Sequence, residues 1–318
     1  MSQPVESPHM LFPFERFRFT IKVTSLMVLP PYKGAVFRGA FGNAFRRVVC
    51  AIPRANCATC LLRQKCLYVS IFEPPPPANY PDAAKFSQAS PPYVLNPPLT
   101  NRQAFHPGDS LEFELVLIGP AIEALPYFIY TFVEMGRRGL GSERGRYDLV
   151  GVDLLRREDA IRIYDGGTQV LTAYPPNARL EPQPEDNGVS TLTLHFLTPL
   201  RLKVKGDLVT KLTFPLFFER LAQRLSLLAA FYNSNTSPPD FSPLMALAEI
   251  INVTSHELHW YDWKRYSSRH KEVMKFGGLH GRISFSGELE PFMRWLKLGR
   301  LVNIGQGTTF GLGRYNIL

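Results

Sequence analysis

All four cysteines of the 318-residue chain lie within seventeen positions: Cys50, Cys57, Cys60 and Cys66, spaced C-x6-C-x2-C-x5-C. Clustered thiolates are the ligands Zn²⁺ takes in a tetrahedral site, and in a reducing compartment such clustering favours a metal over disulfides. These four are candidate ligands of a structural Zn²⁺, since four thiolates leave no coordination position open for catalysis. Reduced cysteines in a loop are the alternative. A second cluster closes the sequence: "GQGTTFGLGRYNIL", with Gly305, Gly307, Gly311 and Gly313 spaced G-x-G-x-x-x-G-x-G. Dinucleotide and P-loop motifs need a helix after the glycines, and only Arg314–Leu318 follow here. Nucleotide cofactors held in those ways are disfavoured. Glycines still let backbone N–H groups approach an anion, and Thr308, Thr309 and Arg314 add donors. With Gln306, these residues are candidate contacts of a nucleic-acid backbone. A tight bend into a last strand is the alternative. The sequence contains no H-E-x-x-H, G-x-S-x-G or paired-carboxylate pattern, so hydrolytic metal or serine chemistry has no support.

The net charge of +9 is concentrated in two stretches. Residues 32–72 hold seven Lys or Arg and no acid, and residues 260–318 hold ten against four acids. The remainder is net negative. Such patches favour a polyanionic partner. A Gly/Arg loop, "RRGLGSERGRY", adds Arg137, Arg138 and Arg144. In "WYDWKRYSSRHKEVMKFGGLHG", aromatic residues interleave with Lys264, Arg265, Arg269, Lys271 and Lys275. Bases can stack on such a surface while cations meet phosphates; a solvated basic hairpin is the alternative. The composition, 45% hydrophobic and 20% charged, is that of a globular protein. No apolar run reaches the length of a bilayer span and the first residues lack a secretory pattern. A cytoplasmic protein with no membrane partner is expected.

These residues must be positioned by elements, and the patterning supplies them. "RFRFTIKV" alternates cationic and apolar residues like a half-buried strand. "GAVFRGAFGNAFRRVVC" gathers its apolar residues into one helical stripe, with Arg38, Gly39, Gly42, Asn43, Arg46 and Arg47 opposite. Two glycines on that side predict a close approach by another backbone or a ligand. The run "FEPPPPANYPDAAKFSQASPPYVLNPP" reads as loop. "SLEFELVLIG" is a strand, and "PAIEALPYFIYTFVEMG" is a helix opening on Pro120 with a kink at Pro126. The Gly/Arg loop leads into another strand. After "YPPNARLEPQPEDNG" the order repeats. "STLTLHFLTPLRLKV" is a strand and "FPLFFERLAQRLSLLAAFY" a helix. Strands "EIINVTSHELHWYDWKRY" and "GLHGRISFSGEL", the helix "EPFMRWLKLG", the glycine loop and a closing strand follow. "GLGSERGRY" and "GLGRY" stand about half a chain apart. A duplicated βαββαβ unit produces this order. Domains are expected at residues 1–173 and 189–318, joined by a 174–188 linker, with the cysteine and proline-rich insertion in the first. No histidine lies in the first helix; His195, His256 and His259 read as ordinary strand residues.

The ending "RYSSRHKEVMKFGGLHGRISFSGELEPFMRWLKLGRLVNIGQGTTFGLGRYNIL" resembles the C-terminal signature of the CRISPR-associated endoribonucleases that process precursor CRISPR RNA, within the RAMP superfamily. "YKGAVFRGAFGNAFRRVVC", the cysteines and "YVSIFEP" are similar to the N-terminal half of the same subgroup. Between the ends the likeness is mainly one of element order. The resemblance implies an α+β fold of two tandem ferredoxin-like (RRM-like, RAMP) domains. It implies a glycine-rich loop on CRISPR repeat RNA, and CRISPR effector subunits as partners of the product, with monomer and homodimer both open. It also implies cleavage with no catalytic cofactor, by 2′-OH attack that gives a 2′,3′-cyclic phosphate and a 5′-OH. Relatives place a histidine near the first helix, and subgroup members carry one at the position of Asn43, an amide that cannot act as a base near neutral pH. Tyr32, Lys33, Arg38 and Arg46 are then the catalytic candidates, with Arg47 on the RNA. A RAMP-type subunit that holds guide RNA without cutting it is the second reading.

Overall fold

A computed structural model describes residues 11–53, 55–76, 89–156, 159–175, 188–233, 238–267 and 272–318, with backbone alone at 264–267 and 272–275. The chain divides into two compact units, Phe12–Ala178 and Arg179–Leu318, the second including Leu11. Among the described residues, no helix is long and apolar enough to cross a membrane.

The first unit runs β1 (Phe14–Val23), β2 (Met27–Val28), α1 (Gly34–Val49), α2 (Leu67–Phe72), β3 (Tyr93–Asn96), β4 (Ala104–Phe105) and β5 (Ser110–Ile118). It continues with α3 (Leu125–Arg138), β6 (Tyr147–Arg156), β7 (Asp159–Asp165) and β8 (Val170–Leu171). Its main sheet is antiparallel, in the order β3-β5-β1-β6-β7-β8. The alternation of β1 buries Phe17, Phe19, Ile21 and Val23. On the opposite face Arg16 and Arg18 pair with Glu114 and Glu112 of β5, each at 3.6 Å. The stripe of α1 puts Phe37, Phe41 and Phe45 into the core at i, i+4 and i+8. Phe41 stacks on Phe128 and Phe132 of α3 at 5.2 and 5.0 Å.

Two local expectations change. The proline-rich run contains a strand, β3, whose four residues are all buried; prolines on both flanks hide so short an element. Pro126 does not kink a helix. Gly119–Ala124 is a 3-10 turn and α3 starts at Leu125, so Pro126 sits in the first turn, where its missing N–H costs no bond.

The second unit runs β9 (Thr191–Leu200), β10 (Lys203–Val204), β11 (Asp207–Leu208), α4 (Phe214–Tyr232) and α5 (Ser242–Ala248). Then follow β12 (Asn252–Ser267), β13 (Glu272–Ser286), α6 (Glu290–Val302) and β14 (Tyr315–Ile317). The antiparallel sheet order is β12-β13-β9-β14. Numbered within one βαββαβ repeat, both sheets share the order 2-3-1-4, the ferredoxin-like arrangement. β12 and β13 form one long hairpin.

The repeat extends to single contacts. The fourth strand of each βαββαβ repeat, β6 and β14, opens on a fully buried tyrosine. Tyr147 donates its hydroxyl to the Phe132 carbonyl at 2.9 Å, and Tyr315 donates to the Leu296 carbonyl at 2.6 Å. Burial raises both phenols well above their ordinary pKa. Each helix carries a glycine beside its tyrosine. A Cβ at Gly136 would overlap the Tyr147 carbonyl oxygen, and one at Gly299 would stand 2.5 Å from the Tyr315 hydroxyl. Gly42 is likewise explained within the chain, since a Cβ there would stand 3.2 Å from Phe72. Gly39 faces open space.

Opposite outcomes are therefore expected for two Gly→Ala substitutions in helices. Gly39→Ala gains helix propensity with no clash and stabilises by up to about 1 kcal/mol. Gly136→Ala overpacks against backbone and destabilises by about 2 kcal/mol. Urea unfolding of the two variants checks both signs.

Candidate functional site

The glycine-rich loop joins α6 to β14. Its starting point is a fully buried arginine on α4. Arg224 donates from Nε to the Asn303 carbonyl at 2.7 Å and from a terminal nitrogen to the Val302 carbonyl at 2.7 Å. Burial holds its pKa down to about 10. These bonds fix the C-terminus of α6, where Asn303 turns to φ +56° and its side chain donates to the Leu312 carbonyl at 3.1 Å. The loop is then tied to the end of β9. Thr198 donates its hydroxyl to the Gly311 carbonyl at 2.7 Å and accepts from the Arg314 amide at 2.9 Å. The Gly313 amide donates to Pro199 and the Gln306 amide to Arg201. Gly313 needs its missing side chain: at φ +70°, a Cβ would overlap the Ile304 carbonyl oxygen.

The glycines thus approach the chain's own carbonyls. Thr308, Thr309, Gly311 and Gly313 are buried, Gly305, Gly307 and Arg314 are half-buried, and Gln306 is exposed. Among the described backbone hydrogen bonds, none engages the amides of Gly307, Thr308 and Thr309. The outward face of the loop is Gln306 and the side of Arg314. In the first unit, the equivalent loop between α3 and β6 is closed by paired Leu140 and Gly145 backbone bonds. It turns Arg138 and Arg144 outward, and Arg137 pairs with Glu134 at 2.6 Å.

The cations of α1 are used unequally. Lys33 is 1% exposed. Its ammonium donates to the carbonyls of Pro30, Pro31 and Thr100, and burial lowers its pKa. Its three donors hold the entry to α1, so it does not present charge to a phosphate as its sequence position suggested. Arg38 lies over the Phe72 ring at 4.7 Å. Arg46 lies over Tyr68 at 5.7 Å and donates to the Ala55 carbonyl at 3.3 Å. Tyr32 is half-buried, while Gly39, Asn43 and Arg47 form an exposed stripe one turn apart.

The cysteines are half-buried free thiols. Among the described residues, no group of three or more Cys, His, Asp or Glu is placed to hold a metal ion, so the expected tetrahedral set is not assembled. The chain between them is held by bonds of its own. Arg63 donates to the Cys57 carbonyl at 2.9 Å, and the Arg63 amide donates to Cys60. Cys50 caps α1 and Cys66 precedes α2, both in extended conformation.

Comparison with known sequences assigns both units. The AF_1859_N N-terminal domain profile matches residues 12–176. The profile of the CRISPR-associated endoribonuclease Cas6 matches residues 194–315, which takes in the whole hairpin and the glycine-rich loop. The chain belongs to the family of the AF_1859_N N-terminal domain, and its second unit matches the Cas6 endoribonuclease family. An uncharacterized protein of Archaeoglobus fulgidus is 26% identical over 91% of this chain and 92% of its own length. The Cas6 (TTHB231) product complex superposes with a TM-score of 0.56 at 19% identity, over 96% of this chain and all of that one. Thermus thermophilus Cas6 (TTHB231) gives 0.54 at 16% identity, over 96% and 99%. At these identities the structures speak to the tandem ferredoxin-like fold.

Of the other residues expected at a site, Arg269 and Lys271 lie outside the described residues. Lys264, Arg265 and Lys275 are placed by backbone only, near the tip of the β12–β13 hairpin, where Lys264 faces Lys275 across the strands. The sequence reading passed over the helix-free face of the second sheet. There His259 stands opposite His280 in register, and His195 stands opposite Arg282.

Removing the Arg224 guanidinium should loosen the glycine-rich loop from behind. Arg224→Met is expected to lower stability by about 2 kcal/mol, because buried carbonyls lose their donors. Arg224→Lys recovers only part, since an ammonium lacks the planar fork. Urea unfolding reads both.

Proposed function

We propose that this protein binds CRISPR repeat RNA and cuts precursor CRISPR RNA, retaining the product. The observation that carries the reading is the match of the endoribonuclease profile across the whole glycine-rich loop. The loop's inward ties, with Gln306 and Arg314 at its outer side, suit a backbone-binding role. In the proposed reaction the ribose 2′-OH loses its proton and its oxygen attacks the adjacent phosphorus. The P–O5′ bond breaks in line, and the leaving 5′-oxygen takes up a proton. The products are a 2′,3′-cyclic phosphate and a 5′-OH, with no metal in the step. Cations stabilise the crowded phosphorane, and the exposed Arg47 is the α1 cation best placed to reach RNA.

One observation supports a second reading, binding without cleavage. Asn43 occupies the middle of the exposed α1 stripe, and an amide there cannot accept the 2′-OH proton. Lys33 has its donors occupied. Cleavage therefore rests on Tyr32, on the two half-buried arginines and on alignment of the RNA for in-line attack.

Incubation of excess protein with its own repeat RNA in EDTA separates the readings. A cut with a 2′,3′-cyclic end is expected, and a 2′-deoxy substitution at the cut site should abolish it while leaving binding intact. Absence of any cut, with binding retained, selects the second reading. Arg47→Ala is expected to weaken binding evenly across sequences and to reduce the salt slope by about 1.

A further inference from the structure

The helix-free face of the second sheet continues directly from the glycine-rich loop. Phe310 of that loop packs on Phe276 of β13 at 5.9 Å between ring centroids, and Arg201 lies over the same ring at 5.3 Å. Phe276 meets Trp263 across the hairpin at 5.2 Å. Two and four residues further along the strands, on the same face, the track continues. Tyr261 and His280 have ring centroids 6.0 Å apart, and His259 and His280 5.2 Å apart. Beyond them come Arg282, His195 and Asn316, aligned by register across β13, β9 and β14. The opposite face is closed by α4, through Phe214–Phe285 and Phe196–Phe217, and by α6, through the Tyr315 bond to the Leu296 carbonyl.

Two details mark the middle of this track. The register of β13 on β9 shifts between Leu279 and Gly281, with Gly281 at φ +119°. A bulge of this kind re-aims the side chain beside it, and that side chain is His280. Its Nδ1 is buried and has no hydrogen-bond partner among the described residues. His259 and Arg282 are exposed, and Tyr261 is half-buried.

We propose that this face is a stacking platform for single-stranded RNA, which leaves the glycine-rich loop and crosses the sheet toward β14. Bases stack on the rings of His259, His280 and Tyr261, a sequence-tolerant contact open to every base. Arg282 meets the backbone phosphate. The inference rests on the RNA-binding reading above and adds a second contact surface to it. It also gives binding a pH dependence. The ionisable groups on the face are Glu257, His259 and Tyr261 of β12, His280 and Arg282 of β13, and His195 of β9. Burial, and then His259 and His195, depress the His280 pKa, opposed by a bond with the Leu197 backbone. Without RNA, the His280 imidazole is therefore biased toward its neutral form. Phosphates favour the charged form, so binding takes up protons as the pH falls below the ordinary histidine value.

Fluorescence anisotropy of the full chain with an unstructured 12-nucleotide RNA, and separately with its own repeat, tests this at pH 7.5 and 5.5 and constant ionic strength. His259→Ala with Tyr261→Ala is expected to cost about tenfold in single-strand affinity. His259→Phe with Tyr261→Phe should keep the wild-type affinity at pH 7.5 but lose most of the gain at pH 5.5. Thermal unfolding shows that each variant is folded. Repeat binding by the wild type, with unchanged single-strand affinity in the alanine variant, overturns the platform alone. Failure of the wild type to bind either RNA overturns the RNA-binding reading and the platform with it.

Discussion

Each unit is locked by one contact, a tyrosine at the head of the fourth strand of its βαββαβ repeat, whose hydroxyl reaches a carbonyl of the preceding helix. The helix must come close for this, and a glycine in it provides the room. The two ends of the intervening loop are thereby fixed. In the first unit the loop is short enough to be closed by one pair of backbone bonds between Leu140 and Gly145. In the second it is longer, and the tyrosine alone cannot define its path. Arg224, Asn303 and Thr198 do so, each spending its polar groups on loop or helix-end carbonyls and amides. A buried guanidinium with carbonyl partners is costly to desolvate unless its donors are matched, so Arg224 specifies one arrangement of the turn.

The same accounting separates structural cations from available ones. Sequence position gives every Lys and Arg of residues 32–72 equal standing as a phosphate ligand. Packing does not. Lys33 is enclosed by carbonyls, and Arg38 and Arg46 lie across aromatic rings. Arg47 reaches solvent from the opposite side of the helix to its phenylalanines. The glycines of the closing loop follow this pattern too. Their freedom serves the chain's own backbone, and what they offer outward is a rigid set of neighbouring groups.

Much of this was legible in the sequence. The helix at Phe214–Tyr232 and the strands at either end of each unit follow from period and proline placement, and the repeat showed through its Gly-Arg-Tyr endings. What stayed hidden depended on contacts distant in sequence. β3 is four residues between prolines, recognisable as a strand only by its pairing with β5. The occupation of Lys33 depends on Thr100. The cysteine spacing suggested a ligand set, but spacing alone does not place thiols in space. The histidines at 259 and 280 look unrelated in sequence. Hairpin register makes them neighbours, and a two-residue spacing to Tyr261 and Arg282 was the faint signal available.

The duplicated topology makes the divergence between the two helix-free faces informative. In the first sheet the cations there are answered across the strands, Arg16 by Glu114, Arg18 by Glu112 and Arg162 by Asp153. Exposed pairs of this kind contribute little stability, but they leave the face close to electrically neutral. In the second sheet the equivalent positions carry the rings of His259, His280 and Tyr261, with Glu257 and Arg282 beside them. A face of matched ion pairs has little to offer a polyanion, because each cation must first leave its carboxylate. On the face of rings a single opposed couple, Glu257 and Arg282, stands across the named positions. The same fold can therefore be inert on one sheet and receptive on the other, and the difference lies in side chains that alternate outward from strands whose inward residues are nearly interchangeable.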